Sequence, residues 1–192
     1  MSSMSTSAAA SPSGSAGADT PAEDHNDADV TFAQGMVPHH QQAIEMSDML
    51  LAKQGIDPRV VSLANEIKAA QGPEIEQLQG WLANWNVSMS PEGGMPNMPG
   101  GDMGDMPNMP GHNMGGMGMM SEQDMAALQA AQGVEASRLF LTQMTEHHEG
   151  AIAMAQTEVD NGQYPPAVEL ARSIITSQQQ EIATMQQILG SL

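Results

Sequence analysis

The chain contains no cysteine, which excludes disulfides, zinc–thiolate sites and thiol catalysis. Aromatic residues make up only 3% of its 192 residues, so a core has to be built from Leu, Ile, Val, Ala and Met. There are 5 basic side chains against 23 acidic ones, a formal net charge of −18. A surface of that sign repels nucleic acid and anionic lipid and favours cations as partners. No run of about 18 apolar residues occurs, which argues against a membrane-spanning helix. No Gly-rich phosphate loop or recognisable nucleophile–base pair is present, so the expectation is a protein that is not an enzyme. Residues 1–28 lack a charged-then-apolar leader pattern. They are rich in Ser, Ala, Gly and Pro and then acidic, a composition that predicts a flexible tether. Such a tether fits an ordinary tail equally well as the stalk of a secreted or lipid-anchored protein whose leader has been removed.

What the chain does have is a motif that occurs twice. The first copy reads Phe32-Ala-Gln-Gly-Met36-Val-Pro-His39-His40-Gln-Gln-Ala43-Ile44-Glu-Met46, and the second reads Phe140-Leu-Thr-Gln-Met144-Thr-Glu-His147-His148-Glu-Gly-Ala151-Ile152-Ala-Met154. Four of the six histidines lie in it. At helical spacing Phe32, Met36, His39, Ala43, Met46 and Leu50 form one stripe, and Phe140, Met144, His147, Ala151 and Met154 form its counterpart. One histidine of each pair is therefore expected on the apolar face, with His40 and His148 at its edge.

A first helix is expected from a cap at Asp27 or Asp29 to about residue 54, with Gly55 in the left-handed position after its end. Pro38 tends to kink it. Asp57-Pro58 restarts a helix, Asp as cap and Pro at the first helical position. Its stripe is Val60, Leu63, Ala64, Ile67, Ile75, Leu78, Leu82 and Trp85, with Gln71 and Glu74 inside it. Ser121 and Asp124 cap a short helix that Gly133 ends. A long helix follows over residues 134–161, then a turn at Tyr164-Pro165-Pro166 and a last helix to about residue 189. That last helix carries Leu170, Ala171, Ile174, Ile182, Met185 and Leu189, with Gln178 and Glu181 inside its stripe. The second helix of each pair therefore repeats too. These patterns predict an all-α, antiparallel four-helix bundle of two repeated hairpins, over residues 29–86 and 121–190, joined by a crossover at 87–120.

In an antiparallel hairpin, residues equidistant from the turn lie side by side. His39 is 16 residues before Gly55 and Gln71 is 16 after it, while His147 is 15 before Gly162 and Gln178 is 16 after it. Each hairpin should thus bring His, Gln and Glu to one level, roughly 24 Å from the turn. Met36 and Met144 fall one turn before the first histidine of their copies. Buried polar groups need partners. Two arrangements supply them: a closed network of His, Glu and Gln, or a metal centre. In the second, His39, His40, His147, His148, Met36 and Met144 are the leading ligands, with Met46 and Met154 further candidates. Gln71, Glu74, Gln178 and Glu181 would orient those ligands from behind. Thioether and imidazole without thiolate favour Cu(I), with Ag(I) as its mimic.

The crossover changes composition entirely. Met95, Met98, Met103, Met106, Met109, Met114 and Met117 recur there among Gly, Pro, Asn and Asp, with His112 between them. Pro and Gly at this frequency oppose helix and strand. Pairs three apart on a pliant backbone let several sulfurs converge on one soft ion. A bland spacer and an oxidant sink through methionine sulfoxide are the other readings.

The two segments Met36-Val-Pro-His39-His40-Gln-Gln-Ala43-Ile44-Glu-Met46 and Met144-Thr-Glu-His147-His148-Glu-Gly-Ala151-Ile152-Ala-Met154, with Gln-x-x-Glu-Ile at residues 71–75 and 178–182, resemble the ferritin-like domain-of-unknown-function family numbered 305. The resemblance covers about residues 28–190. It implies a four-helix bundle, export to the periplasm or cell surface and, for some members, copper binding and copper tolerance. Glu146, where the motif usually has an apolar residue or Pro, departs from the pattern and puts strict twofold equivalence in doubt. The leading expectation is an exported copper-binding protein that sequesters Cu(I) or passes it to a copper-transfer partner. The alternatives are a ferritin-like redox enzyme and a metal-free structural or interaction module. A carboxylate-bridged iron pair would need Glu-x-x-His, and the chain has none.

Overall fold

In the computed structural model, residues 24–89 and 117–192 are described. Five helices occupy them: α1 (Asp27–Leu51), α2 (Pro58–Asn84), α3 (Glu122–Ala130), α4 (Gly133–Asn161) and α5 (Pro165–Leu189). No strand is found among the described residues. The fold is all-helical.

Local chemistry sets the helix ends. Asn26, not Asp27 or Asp29, caps α1: its side chain accepts from Ala28 and Asp29 N–H, and the Asp29 carboxylate accepts from Asn26 N–H at 2.6 Å. Asp27 and Ala28, assigned to the tether from composition, are helical. The helix stops at Leu51, three residues short of expectation, and Gly55 takes φ +74°, where a Cβ would be strained. Asp57 caps α2 by accepting from Arg59 N–H, with Pro58 at the first position. Ser121 and Asp124 form a reciprocal capping box on α3. Pro38 and Pro73 both lie inside continuous helices.

α1 and α2 form one hairpin and α4 and α5 the other, and the two meet chiefly through α1 and α4. The apolar side chains bury in two blocks. One joins Phe32, Met36 and Val37 of α1 with Leu78 and Trp81 of α2, Ala151 and Ala155 of α4, and Ile174 of α5. The other joins Ala43, Met46 and Leu50 with Leu63, Ile67, Phe140, Met144 and Met185. The N-terminal half of α1 thus shares a block with the C-terminal half of α4, so the two run antiparallel. Trp81, absent from the expected stripe, is buried, whereas the expected Trp85 is only partly so. Tyr164 meets both tryptophans edge-on.

A carboxyl pair ties the hairpins together at one end. Asp29 is fully buried and accepts from Asn26, Gln163 and Tyr164 N–H, which holds the start of α1 on the α4–α5 turn. Glu158 is 1% exposed and beside it. Burial, then the Asp29 hydrogen bond and charge, push the Glu158 carboxyl up to about 8. Burial opposes ionisation of Asp29, but hydrogen bonds from Glu158 and the backbone hold it below the usual carboxylate value. Near neutrality the Glu158 carboxyl holds its proton while Asp29 is ionised. The folded state thus keeps a proton that the unfolded state gives up near pH 4.5, and stability from this group declines as pH rises toward about 8. From pH 6.5 to 8, the unfolding free energy should fall by on the order of 1 kcal/mol. In Glu158→Gln that slope should vanish, as read by chemical denaturation at each pH.

Candidate metal centre

Between the two apolar blocks lies a polar layer. His39, His40, His147 and His148 are each at most 1% exposed. The expectation that His40 and His148 sit at the edge of the apolar face is therefore corrected. Each faces the second helix of its own hairpin, where it is covered as fully as its neighbour. His40 Nε2 pairs with Glu74 Oε2 at 2.7 Å, and His148 Nε2 pairs with Glu181 Oε2 at 2.6 Å. The other two turn toward each other across the α1–α4 contact, with the His39 and His147 rings 3.7 Å apart between centroids. The layer has approximate twofold character, as the repeat implies.

Ring nitrogens facing carboxylate or carbonyl oxygen must carry hydrogen. His40 and His148 donate from Nε2 to Glu74 and Glu181, and His39 donates from Nε2 to the Met117 carbonyl at 3.0 Å. In a neutral ring with that tautomer the lone pair is on Nδ1. The Nδ1 atoms of His39, His40 and His148, and both nitrogens of His147, are buried without a protein partner. So are both polar atoms of the Gln71 amide and Oε1 of Gln178. Each such atom costs about 1–3 kcal/mol if left unpaired. They fall at one level between the two apolar blocks, and imidazole lone pairs backed by carboxylates are a metal-binding arrangement.

Electrostatics agree on the neutral rings. Burial pushes His39 down to about 3, with His40 and His148 adding to it against the bond to Met117. Burial and then His39, His148 and His40 take His147 well below the ordinary value. Both therefore offer lone pairs rather than positive charge near neutrality.

The remaining sequence candidates, Met117 apart, fall in four groups. Met36 and Met144 are fully buried one turn before their histidines. Because α1 and α4 are antiparallel, they approach the layer from opposite sides, one in each apolar block. Met46 is deep in the second block, whereas its repeat counterpart Met154 is half-buried on the α1–α4 face. Gln71 and Gln178 are buried in the layer, and Glu74 and Glu181 are half-buried at its margins. Among the described residues, no three His, Asp or Glu side chains are placed to hold one ion by themselves. An ion here would draw on thioether sulfur or on a shift of the imidazoles. Met95, Met98, Met103, Met106, Met109, His112 and Met114 lie outside the described residues.

Motif reading missed the strap at residues 117–120, where the crossover returns over the layer. Gln42 donates to the Met120 carbonyl and accepts from Met120 N–H, at 2.9 and 2.8 Å. Gly118, at φ +74°, crosses α4 at Glu146 and Gly150. A Cβ on Gly150 would lie 1.9 Å from the Met117 carbonyl oxygen. Gln42 and Gly150 hold the same position in the two motif copies. Their difference was the available signal: one copy grips the strap and the other makes room for it.

The fold and site define an all-helical protein of two repeated hairpins with a buried imidazole layer at its centre. The chain belongs to the DUF305 family, a domain of unknown function, whose model matches residues 29–189. A DUF305 fragment from Deinococcus radiodurans is 32% identical over 87% of this chain and 98% of its own, with a TM-score of 0.71. A DUF305 protein of Streptomyces coelicolor, whose name ascribes secretion to it, is 31% identical over 85% of this chain and 91% of its own, with a TM-score of 0.71. CopM in its Cu(II)-bound form is 31% identical over 85% of this chain and 96% of its own, with a TM-score of 0.66. CopM has also been solved in Cu(I)- and Ag-bound forms. A search of the curated proteins returns no match.

Two outcomes follow for the layer. Below pH 6.5 the unfolded state protonates His39 while the folded state resists down to about 3, so stability is lost as pH falls through that window. From pH 7 to 5 His39 alone should cost on the order of 2 kcal/mol. His39→Gln should flatten the acid limb in chemical denaturation by that amount. Gly150→Ala should displace the strap, remove the acceptor of His39 Nε2 and lower the unfolding free energy by about 2 kcal/mol, measured by urea denaturation.

Proposed function

We propose that this protein binds copper outside the cytoplasm, holding Cu(I) through imidazole and thioether groups and either sequestering it or handing it to a copper-transfer partner. The observation that carries this reading is the set of unpartnered imidazole nitrogens at one buried level, where burial keeps His39 and His147 neutral. His39, His40, His147 and His148 would hold the ion with help from Met36 or Met144, and Glu74 and Glu181 would orient two of the rings from behind. Neutral nitrogen and sulfur donors suit a soft monovalent ion, with Ag(I) as its mimic. The likeness to CopM, solved with copper and silver bound, supports the same chemistry. The methionines of the crossover would collect the ion, and the layer would retain it.

Binding rather than catalysis is the reading adopted. A ferritin-like redox centre would need several carboxylates converging on a metal pair, and Glu74 and Glu181 are each already engaged by an imidazole. Those same two hydrogen bonds favour one rival: a metal-free bundle in which the polar layer fixes register. Export is supported by the secretion ascribed to the Streptomyces relative. No helix among the described residues is long and apolar enough to cross a membrane.

An anaerobic Cu(I) titration against a competing chelator tests the proposal. The full chain is compared with a version whose residues 89–120 are a Gly/Ser linker, and with His39→Ala/His147→Ala. The histidine variant should lose its tightest site, with affinity down about 100-fold. The linker variant should lose weaker sites. Failure of the full chain to compete with a weak chelator would overturn the copper reading and leave the register device standing.

A further inference from the structure

A cavity of about 400 Å³ opens between the first turns of α1 and the last turns of α4. Phe32 supplies apolar wall, and Met117, Met154 and Glu158 line it. The two methionines come from unrelated parts of the sequence. Met154 ends the second motif copy, and Met117 lies near the end of the methionine-rich crossover. The Met154 sulfur lies against α1 at Gly35, where an added Cβ would be 3.4 Å from it. Gly35 is one helical turn before His39. Met117 is 43% exposed, yet its carbonyl accepts from His39. The cavity thus has one methionine facing solvent, a second reaching inward, and the imidazole layer directly behind the first.

Its charge suits a cation. Glu158 lines the cavity, and the buried Asp29 carboxylate lies behind it. Asp27 adds a carboxylate at the rim. Away from bulk water such charges act strongly on an entering ion. Hard cations gain little from thioether, whereas a soft monovalent ion binds it well.

We infer that Met117 and Met154 form a second soft-cation site, for Cu(I) or Ag(I), in the α1–α4 cavity between the methionine-rich crossover and the imidazole layer. The site rests on the copper reading given above. It explains why Met154 is half-buried on this face while Met46, its repeat counterpart, is sealed in the core. The repeat is broken where the crossover arrives, and there a motif sulfur becomes available to a crossover sulfur.

The test is a titration of the full chain, labelled with carbon-13 at its methionine methyls, with Ag(I). Its closed shell leaves the resonances sharp. Met117 and Met154 should shift together over one titration step. Met154→Leu keeps the apolar volume of the position, so the fold is retained. It should remove the Met117 shift from that step and weaken the step about tenfold or more, while Met36 and Met144 still respond. Two results overturn the site: Met117 moving without Met154, or Met117 responding equally in wild type and Met154→Leu. Shifts at Met36 and Met144 with Met117 and Met154 silent reject this site and leave the copper reading intact. Methionine methyls and histidine rings that all stay unmoved reject both.

Discussion

Four imidazoles buried in one cross-section of a helical protein set the terms for everything around them. Imidazole is polar enough that its burial without partners is expensive, yet here ring nitrogens are left with no protein partner. The surrounding core pays that cost with apolar blocks on either side. One centres on Trp81, Leu78 and Ile174, the other on Phe140, Ile67 and Leu63. Desolvation then keeps His39 and His147 neutral, and neutrality lets the rings stand 3.7 Å apart. Two imidazolium ions at that separation would repel. The antiparallel meeting of α1 and α4 therefore depends on the dryness of the layer as well as on shape.

Duplication supplies the layer, and departures from duplication supply access to it. His40 with Glu74 and His148 with Glu181 are equivalent pairs on equivalent hairpins. Where the crossover returns, equivalence ends. Gln42 grips the strap in one copy, and Gly150 gives way to it in the other. Met46 is sealed in one apolar block, whereas Met154 is half-buried against the other. The backbone of residues 117–120 is joined to one histidine of the four, through the Met117 carbonyl and His39. The crossover is thereby coupled to the layer, and not only tethered near it.

Much of this was legible in the sequence because its causes are local or periodic. The hairpins, the Asp57-Pro58 restart, the capping box at Ser121 and the stripe positions of Gln71 and Gln178 all follow from spacing and cap chemistry. Turn arithmetic placed His and Gln at one level because helical rise is constant. What escaped was non-local. Asn26 outcompeted Asp27 and Asp29 as cap because Asp29 is recruited to hold Gln163 and Tyr164 across the molecule. His40 and His148 are buried because each first helix packs on two sides, against its own hairpin partner and against the other hairpin, which widens its apolar face beyond one stripe. The strap depends on a left-handed Gly118 meeting a helical Gly150 that is 32 positions away, and no window of sequence shows that.

The division between surface and interior bears on selectivity. A net charge of −18 draws cations of every kind toward the chain, so attraction alone cannot choose among them. The interior has the opposite character. At the layer, nitrogen and sulfur sit among apolar side chains, and the available carboxylates of Glu74 and Glu181 are committed to His40 and His148. A hard ion leaving water would find few oxygens in exchange, whereas a soft ion would find donors matched to it. On the copper reading, the acidic surface raises the encounter rate and the desolvated layer does the sorting. The pairing of Glu74 and Glu181 with imidazoles is then what keeps hard-cation affinity low. Breaking those hydrogen bonds would free two carboxylates at the layer's margins and, on the copper reading, shift the site toward oxygen-seeking metals.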